Sequence, residues 1–457
     1  MSGSDRRLQR FQRLPYAAKV AVAGAQGLRL RAWRYGPGSE ALVEAVLERD
    51  TWTEDHWQAW QGERLATVVA HVANAVPHHR AWFAAHPDHD PTRLADWPIT
   101  TKADIRADPA GFLADDAPRR RYRDQTSGTS GSPLVIHTSR PDLRAFFALH
   151  EARTRRWHGV SRHDRWAILG GQMVAPPERS KPPYWVWNPG LHQLYLSTHN
   201  VTPATVRAYA AKLRAFGPTH LVVYPSSAAF LAKLALDQGE RAHGPRVVIT
   251  NAEAVTDEQR TLLEAFFGCP VRETYGMAEM AAAAGECEAG TLHLWPEAGL
   301  VEVVDDEGTV VADGEAGRLV LTGLTNDTTA FVRYEIGDRG RAPQWGVACP
   351  CGRALPVLPP IEGRNQDLLV TRDGGRQFWI NPVFYGLPVV EAQVVQERID
   401  LLRVRVVPAD GFGTDAEATI ASRLQDRLGD VTVTVEVTDA IERDANGKFR
   451  PVVSLVD

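Results

Sequence analysis

Thr126-Ser127-Gly128-Thr129-Ser130-Gly131-Ser132-Pro133 is the stretch on which the reading of this chain turns. Arg119, Arg120, Arg121 and Arg123 precede it, and the apolar run Leu134-Val135-Ile136 follows. Hydroxyls alternate with glycines, and no side chain larger than threonine stands before the proline. Glycine permits left-handed backbone and close approach, so such a loop can turn N–H groups and hydroxyls toward one anion. It is not a Walker-type loop, because no lysine follows Gly131. A flexible Ser/Gly linker has the same composition. Residues elsewhere separate the two readings.

A chain of 457 residues is long enough for two or three domains and a large core. Its 44% hydrophobic and 23% charged residues are those of an ordinary globular protein. A net charge of −5 argues against a general nucleic-acid binder, since no overall basic field exists to neutralise phosphates. No apolar run is long enough for a transmembrane helix. Four cysteines do not make a disulfide framework at this length, so a reducing, cytoplasmic setting is expected. The first 34 residues differ, with eight Lys/Arg against the single acid Asp5. Lys19 interrupts the apolar segment Ala17–Ala25, which argues against a cleaved signal. A basic helix packed on the main domain is expected, with peripheral contact of residues 1–34 with an anionic membrane surface as the alternative.

Residues 53–84 read as helical, Trp57, Trp60, Leu65, Val68, Val69, Val72 and Val76 forming one apolar stripe. Thr100-Thr101-Lys102-Ala103-Asp104-Ile105 reads as a capped helix start, and residues 141–158 as a further helix. From about 164 to 330, apolar runs at 166–169, 220–224 and 246–250 alternate with helical segments at 203–216, 226–238 and 256–267. That alternation predicts an α/β domain with a parallel sheet. Residues 299–323 shift to closely spaced strands and turns, a β-rich subdomain. The last ~90 residues read as β-β-α-β, enough for a small separate domain. Strands fall there at 390–396, 401–407 and 431–437, with a helix at 415–428.

The loop is followed in order by Thr250-Asn251-Ala252-Glu253-Ala254 and Glu273-Thr274-Tyr275-Gly276-Met277-Ala278-Glu279. Then come Arg333-Tyr334-Glu335-Ile336-Gly337-Asp338, Glu362-Gly363-Arg364 and Arg443-Asp444-Ala445-Asn446-Gly447-Lys448-Phe449-Arg450. This ordered series resembles the adenylate-forming superfamily of acyl- and aryl-CoA ligases. Cys349-Pro350-Cys351-Gly352-Arg353 and Pro98–Ile105 resemble its phenylacetate–CoA ligase and CapK-like branch in particular. The likeness runs from about residue 55 to the end.

The resemblance implies a large adenylating domain of mixed α/β sheets with a β-rich subdomain, and a small mobile α+β C-terminal domain carrying the catalytic lysine. The expected division is a basic helical extension at 1–54, the adenylating domain at 55–363 and the small domain at 364–457. It further implies that Thr126, Ser127, Gly128, Thr129, Ser130 and Gly131 hold the phosphates of ATP. Tyr275 would stack on adenine, and Ala252, Glu253, Glu273, Thr274, Gly276 and Met277 would complete the ATP-contacting set. Glu279 would hold Mg2+, which favours carboxylates plus phosphate oxygens. Asp338 and Arg364 would bind the ribose, and Lys448 would reach the α-phosphate in the transition state. Taken singly, each has a plainer reading, such as a core tyrosine, a turn aspartate, or an exposed lysine beside an Asn-Gly turn. Their order joins them. Most loops of this family carry a lysine where Ser132 stands, a loss of about 1–3 kcal/mol of phosphate binding. Gln366 stands at the hinge, where relatives carry Asp or Lys.

The implied reaction activates a carboxylic acid, aromatic or apolar, as an acyl-adenylate with release of pyrophosphate. Transfer to coenzyme A or a carrier-protein thiol follows. Transfer to an amine, transfer of AMP itself, or a nucleotide-binding relative without turnover are the alternatives. Trp185, Trp187, Tyr224 and the Ala281–Ala284 run are expected to wall the acid pocket. Cys287, His293, Cys349 and Cys351 make a C-x5-H and C-x-C-G set suited to tetrahedral zinc, against the alternative of unliganded thiols. Sequence leaves oligomeric state open, a homodimer included.

Overall fold

Short apolar runs between Gly, Pro and Ser give the central element, a six-stranded sheet. Its strand order is Trp185–Asn188, Gln193–Ser197, Trp166–Gly170, His220–Val223, Val247–Thr250 and Val271–Arg272. All neighbours run parallel except the edge strand Trp185–Asn188, which is antiparallel to Gln193–Ser197. Helices Val206–Phe216, Pro225–Asp237 and Asp257–Phe267 cover it, burying Leu169, Leu221, Val248, Leu213, Leu231 and Phe266 in one core. Strands buried on both faces explain the continuous apolar runs. The computed structural model describes residues 3–126, 134–176, 179–312, 314–364, 369–372, 376–377, 383–384, 387–443 and 449–456; for 3–7, 364 and 376–377 it describes backbone only.

The expected helix over 53–84 is two helices, Glu54–Ala75 and Pro77–Ala85. Pro77 causes the break, because a residue before proline is pushed out of helical backbone and Val76 is extended. Thr101 and Asp104 form the expected capping box on helix Lys102–Ala107. The expected helix at 141–158 runs Arg140–His150, then widens into one π-turn at Glu151–Arg155. That turn points Arg153, fully buried, at Asp50 (2.9 Å) and Glu297 (2.7 Å). The basic helix Tyr16–Arg34 packs on the edge strand of the sheet. Its Lys19 is 4% exposed and donates to Val174 O at 3.3 Å.

The β-rich region is a four-stranded antiparallel sheet, Gly299–Val304, Ala316–Gly323, Tyr334–Arg341 and Gly363–Arg364. Beside it lies a three-stranded sheet, Leu292–Leu294, Ala283–Glu286 and Thr274–Gly276. The C-terminal part has its own sheet, ordered Thr432–Val437, Leu401–Pro408, Val389–Arg398 and Val452–Ser454, with helix Thr414–Leu428 packed on it. Val394, Leu402, Val404, Ile420 and Leu424 make a separate core. Val407, Ile441 and Phe449 instead join the core of the six-stranded sheet, docking the small domain there. The strand Gly363–Arg364 still belongs to the large part.

Candidate active site

Tyr275 and Asp338 meet where the three- and four-stranded sheets abut. Tyr275 donates its phenolic O–H to Asp338 Oδ2 at 2.9 Å. Asp338 stands opposite Arg364 in the antiparallel ladder, so backbone pairing alone brings Arg364 alongside. Asp338 is buried, while the Tyr275 ring is half-buried against the core that holds Ala282 and Leu321. Among the described residues, a side chain added at Gly337 or Gly363 would meet nothing within 4 Å, and one at Gly276 only Ala282 O at 4.0 Å. A flat base and a sugar have room there, next to an aromatic ring and a carboxylate, so the residues present fit a nucleoside.

Glu279 is 3% exposed and accepts a hydrogen bond from the buried Tyr334 hydroxyl at 3.2 Å. A buried carboxylate is a hard oxygen donor of the kind that Mg2+ takes together with phosphate oxygens. The next residue, Met280, has φ 57°, and Ala252 at the end of the parallel sheet has φ 68°. Left-handed backbone costs a non-glycine residue about 1–2 kcal/mol, and such strain gathers at functional sites. Thr274 Oγ1 donates to Thr250 O at 2.5 Å, tying the strand that bears Tyr275 to the end of Val247–Thr250. Met277 lies beneath, its sulfur 3.3 Å from the Ala282 N–H.

Two acids of the expected set hold protein groups. Glu253 accepts from Ser226 N–H (3.0 Å), in the first turn of helix Pro225–Asp237, and from Phe449 N–H (3.3 Å) of the small domain. Burial raises its carboxyl above the usual range, against the pull of those donors and of Arg443. Glu273 is raised to about 7, first by burial and then by the charge on Glu286. Glu286 is held by Arg260 at 2.8 Å, a pair that sequence reasoning did not single out. Thr126 is buried; its N–H donates to Leu134 O at 2.9 Å and its Oγ1 accepts from Leu134 N–H at 3.0 Å. These bonds close the neck between strands Tyr122–Gln125 and Val135–Thr138. Ser127, Gly128, Thr129, Ser130, Gly131 and Lys448 lie outside the described residues, as does the side chain of Arg364.

Two expectations for the acid pocket are corrected. Trp185 packs on Tyr209 (6.0 Å between rings) and Trp187 on Phe216 (5.4 Å), so both serve the core under helix Val206–Phe216. Ala281–Ala284 are 0% exposed and belong to the cores. Spacing along an edge strand could not tell which face looks at helix and which at ligand.

Cys287, His293, Cys349 and Cys351 converge, with ligand atoms all within 4.8 Å of one another. Cys287 and Cys349 sulfurs stand 3.7 Å apart, and Cys351 Sγ is 3.4 Å from His293 Nε2. Tetrahedral zinc at ordinary bond lengths has edges of about 3.5–3.8 Å. His293 Nδ1–H donates to Leu355 O at 3.1 Å, since a carbonyl can only accept, and this fixes the tautomer that turns the Nε2 lone pair toward the cysteines. Burial pushes the Cys349 thiol up, but bonds from Thr291, the Cys351 amide and His293 bring it down to about 6. The donor set fits zinc.

Known proteins resemble this chain along most of its length. A family model described as AMP-binding enzyme matches residues 124–326, and one described as CapK C-terminal domain matches 377–454. Protein CapK of Staphylococcus aureus is 28% identical over 68% of this chain and 68% of its own length. A phenylacetate-coenzyme A ligase of Thermus thermophilus is 26% identical, over 89% of this chain and 98% of its own. A crystal structure of 2-hydroxyisobutyryl-CoA ligase in the postadenylation state shares the fold, with TM-score 0.68 and 21% identity over 89% and 91% of the two chains. These likenesses support the adenylate-forming superfamily, in the branch that holds CapK and the phenylacetate–CoA ligases. Among the described residues, no helix is long and apolar enough to cross a membrane.

Proposed function

We propose that this protein uses ATP to activate a carboxylic acid, aromatic or apolar, as its acyl-adenylate, and then passes the acyl group to the thiol of coenzyme A. The observation that carries the reading is the meeting of Tyr275 and Asp338, 2.9 Å apart beside an open space, with Glu279 buried nearby. Tyr275 would offer adenine a π-face, Asp338 and Arg364 would hold the ribose, and residues 126–131 would take the terminal phosphates. Mg2+, held by Glu279 and phosphate oxygens, would neutralise charge on the phosphates. Lys448 would steady the α-phosphate as the substrate carboxylate attacks it and pyrophosphate leaves. No side-chain nucleophile is required. The small domain would turn about residues 364–367 for the second step, releasing its Phe449 contact with Glu253.

The neighbours support a CoA acceptor because their names include phenylacetate-coenzyme A ligase and 2-hydroxyisobutyryl-CoA ligase. A carrier-protein thiol, an amine, or transfer of AMP itself would use the same first step. We also assign structural zinc to the Cys287–His293–Cys349–Cys351 set, and a reducing, cytoplasmic setting on the four unpaired thiols. Ser132 in the phosphate loop is the residue that favours a nucleotide binder without turnover. Mass spectrometry after incubation with Mg-ATP and a mixed pool of acids tests the reading. An acyl-AMP species whose mass tracks one acid is expected; bound ATP with no adenylate from any acid would overturn it.

A further inference from the structure

The opposite end of the central sheet carries a second arrangement that adenylation does not use. Strands Trp166–Gly170, His220–Val223 and Val247–Thr250 run in one direction, so Trp166 marks the end away from Gly170, Val223 and Thr250. Five strand residues put about 13 Å between those ends. There an open groove with a cavity volume of about 50 Å³ is lined by Arg31, Arg34, Arg155 and Arg162. Each of three guanidiniums lies over a ring: Arg34 over Phe147 (4.5 Å), Arg162 over Tyr35 (4.8 Å) and Arg155 over Trp166 (5.4 Å).

The groove is assembled by close packing. Helix Tyr16–Arg34 delivers Arg31 and Arg34, and it reaches the sheet only because Gly24 and Gly27 face Pro189 and Asn188 without room for a side chain. A Cβ on Gly190 would strike Gly24 O and Leu28 N, both at 2.5 Å. On the rim, His192 is held at φ 53°, a strained position for any residue but glycine.

Its positive charge is incompletely neutralised. The ion pairs of Arg155 and Arg162 use two carboxylates, Glu151 and Glu40. Both are shared with Arg156. Among the described residues, neither Arg31 nor Arg34 forms an ion pair, and Arg34 Nε is buried without a hydrogen-bond partner. The same field acts on nearby histidines. His150 is pushed down to about 3 by burial and then by Arg155 and Arg34. His163 is lowered by burial and by Arg162 and Arg31, against Glu151 and Glu40.

We propose that this groove binds a small phosphate-bearing anion at a site separate from the one that handles ATP. Guanidinium forks match phosphate oxygens in pairs and bind them with charge-assisted hydrogen bonds. Several unneutralised cations together favour a ligand of two or more negative charges over a single carboxylate.

Titration with inorganic pyrophosphate, with the nucleotide site filled by a non-hydrolysable ATP analogue, tests this. Saturable binding should persist beside the analogue. It should weaken about tenfold or more in Arg31→Gln/Arg34→Gln, the loss expected for charge-assisted contacts, and less in Arg34→Lys. Arg31 is exposed, so Arg31→Gln alone serves if the double variant does not fold. Binding abolished by the analogue, binding unchanged in the groove variants, or no saturable binding would each overturn the proposal.

Discussion

The nucleotide region and the cysteine–histidine knot are built from similar parts and differ in what they leave open. In the knot, three sulfurs and one imidazole nitrogen crowd within 4.8 Å, and the fourth partner's other nitrogen is anchored on Leu355 O. Three thiolates and one imidazole would complete a tetrahedral zinc shell, as in closed structural sites. In the nucleotide region, Tyr275, Asp338 and Glu279 are each oriented by a phenolic hydrogen bond, and space remains around Gly276, Gly337 and Gly363. On the proposed reading, closure marks a staple, and oriented groups beside open space mark the site of reaction. The two are joined, because the strand Ala283–Glu286 pairs with Thr274–Gly276 on one side and runs into Cys287 at its end.

Several changes would break or sharpen this contrast. The largest effect is expected from Lys448→Ala, which should lower adenylate formation about 100- to 1,000-fold while ATP affinity changes little. Stopped adenylation with equal loss of ATP binding would move Lys448 from transition-state to ground-state contact. Next, Cys351→Ser should release the metal and lower the melting temperature, on the order of 10 °C if several kcal/mol are lost. Metal analysis by mass spectrometry checks it, and an unchanged zinc content or a metal-free wild type would break the assignment. A smaller effect belongs to Tyr334→Phe, which removes the hydroxyl on Glu279. A loss of about 1 kcal/mol, seen as a few-fold higher requirement for Mg2+, is expected.

The smallest is a pH effect. Glu273 titrates at about 7 in the folded protein against 4.5 when free. Between those values the folded state keeps a proton that the unfolded chain has lost, so stability falls as pH rises through that window. Glu273→Gln should flatten the slope of melting temperature against pH from 5 to 8, and an unchanged slope would assign it to another group.

Much of the fold was legible because the parallel strands are buried on both faces and read as plain apolar runs. Val247-Val248-Ile249 needed only its flanking turns. The helix at 141–158 was harder. Its widening at Glu151–Arg155 answers to Asp50 and Glu297, about 100 and 144 residues away, and local periodicity carries no trace of them. In the site, Tyr275, Asp338 and Arg364 were named by motif order, and pairing of strands far apart in sequence supplies the reason they stand together. Glu253 was legible as a motif residue, yet its bond to Phe449 N–H depends on how the small domain docks. The arginine groove was invisible for the same reason, since Arg34 and Arg162 are brought together by helix packing at Gly24 and Gly27.

Carboxylate-dependent exchange of labelled pyrophosphate into ATP tests the central claim most directly. The account predicts exchange that requires Mg2+ and one class of carboxylic acid, and that is lost in Lys448→Ala. ATP binding with no exchange across a broad panel of acids would contradict it.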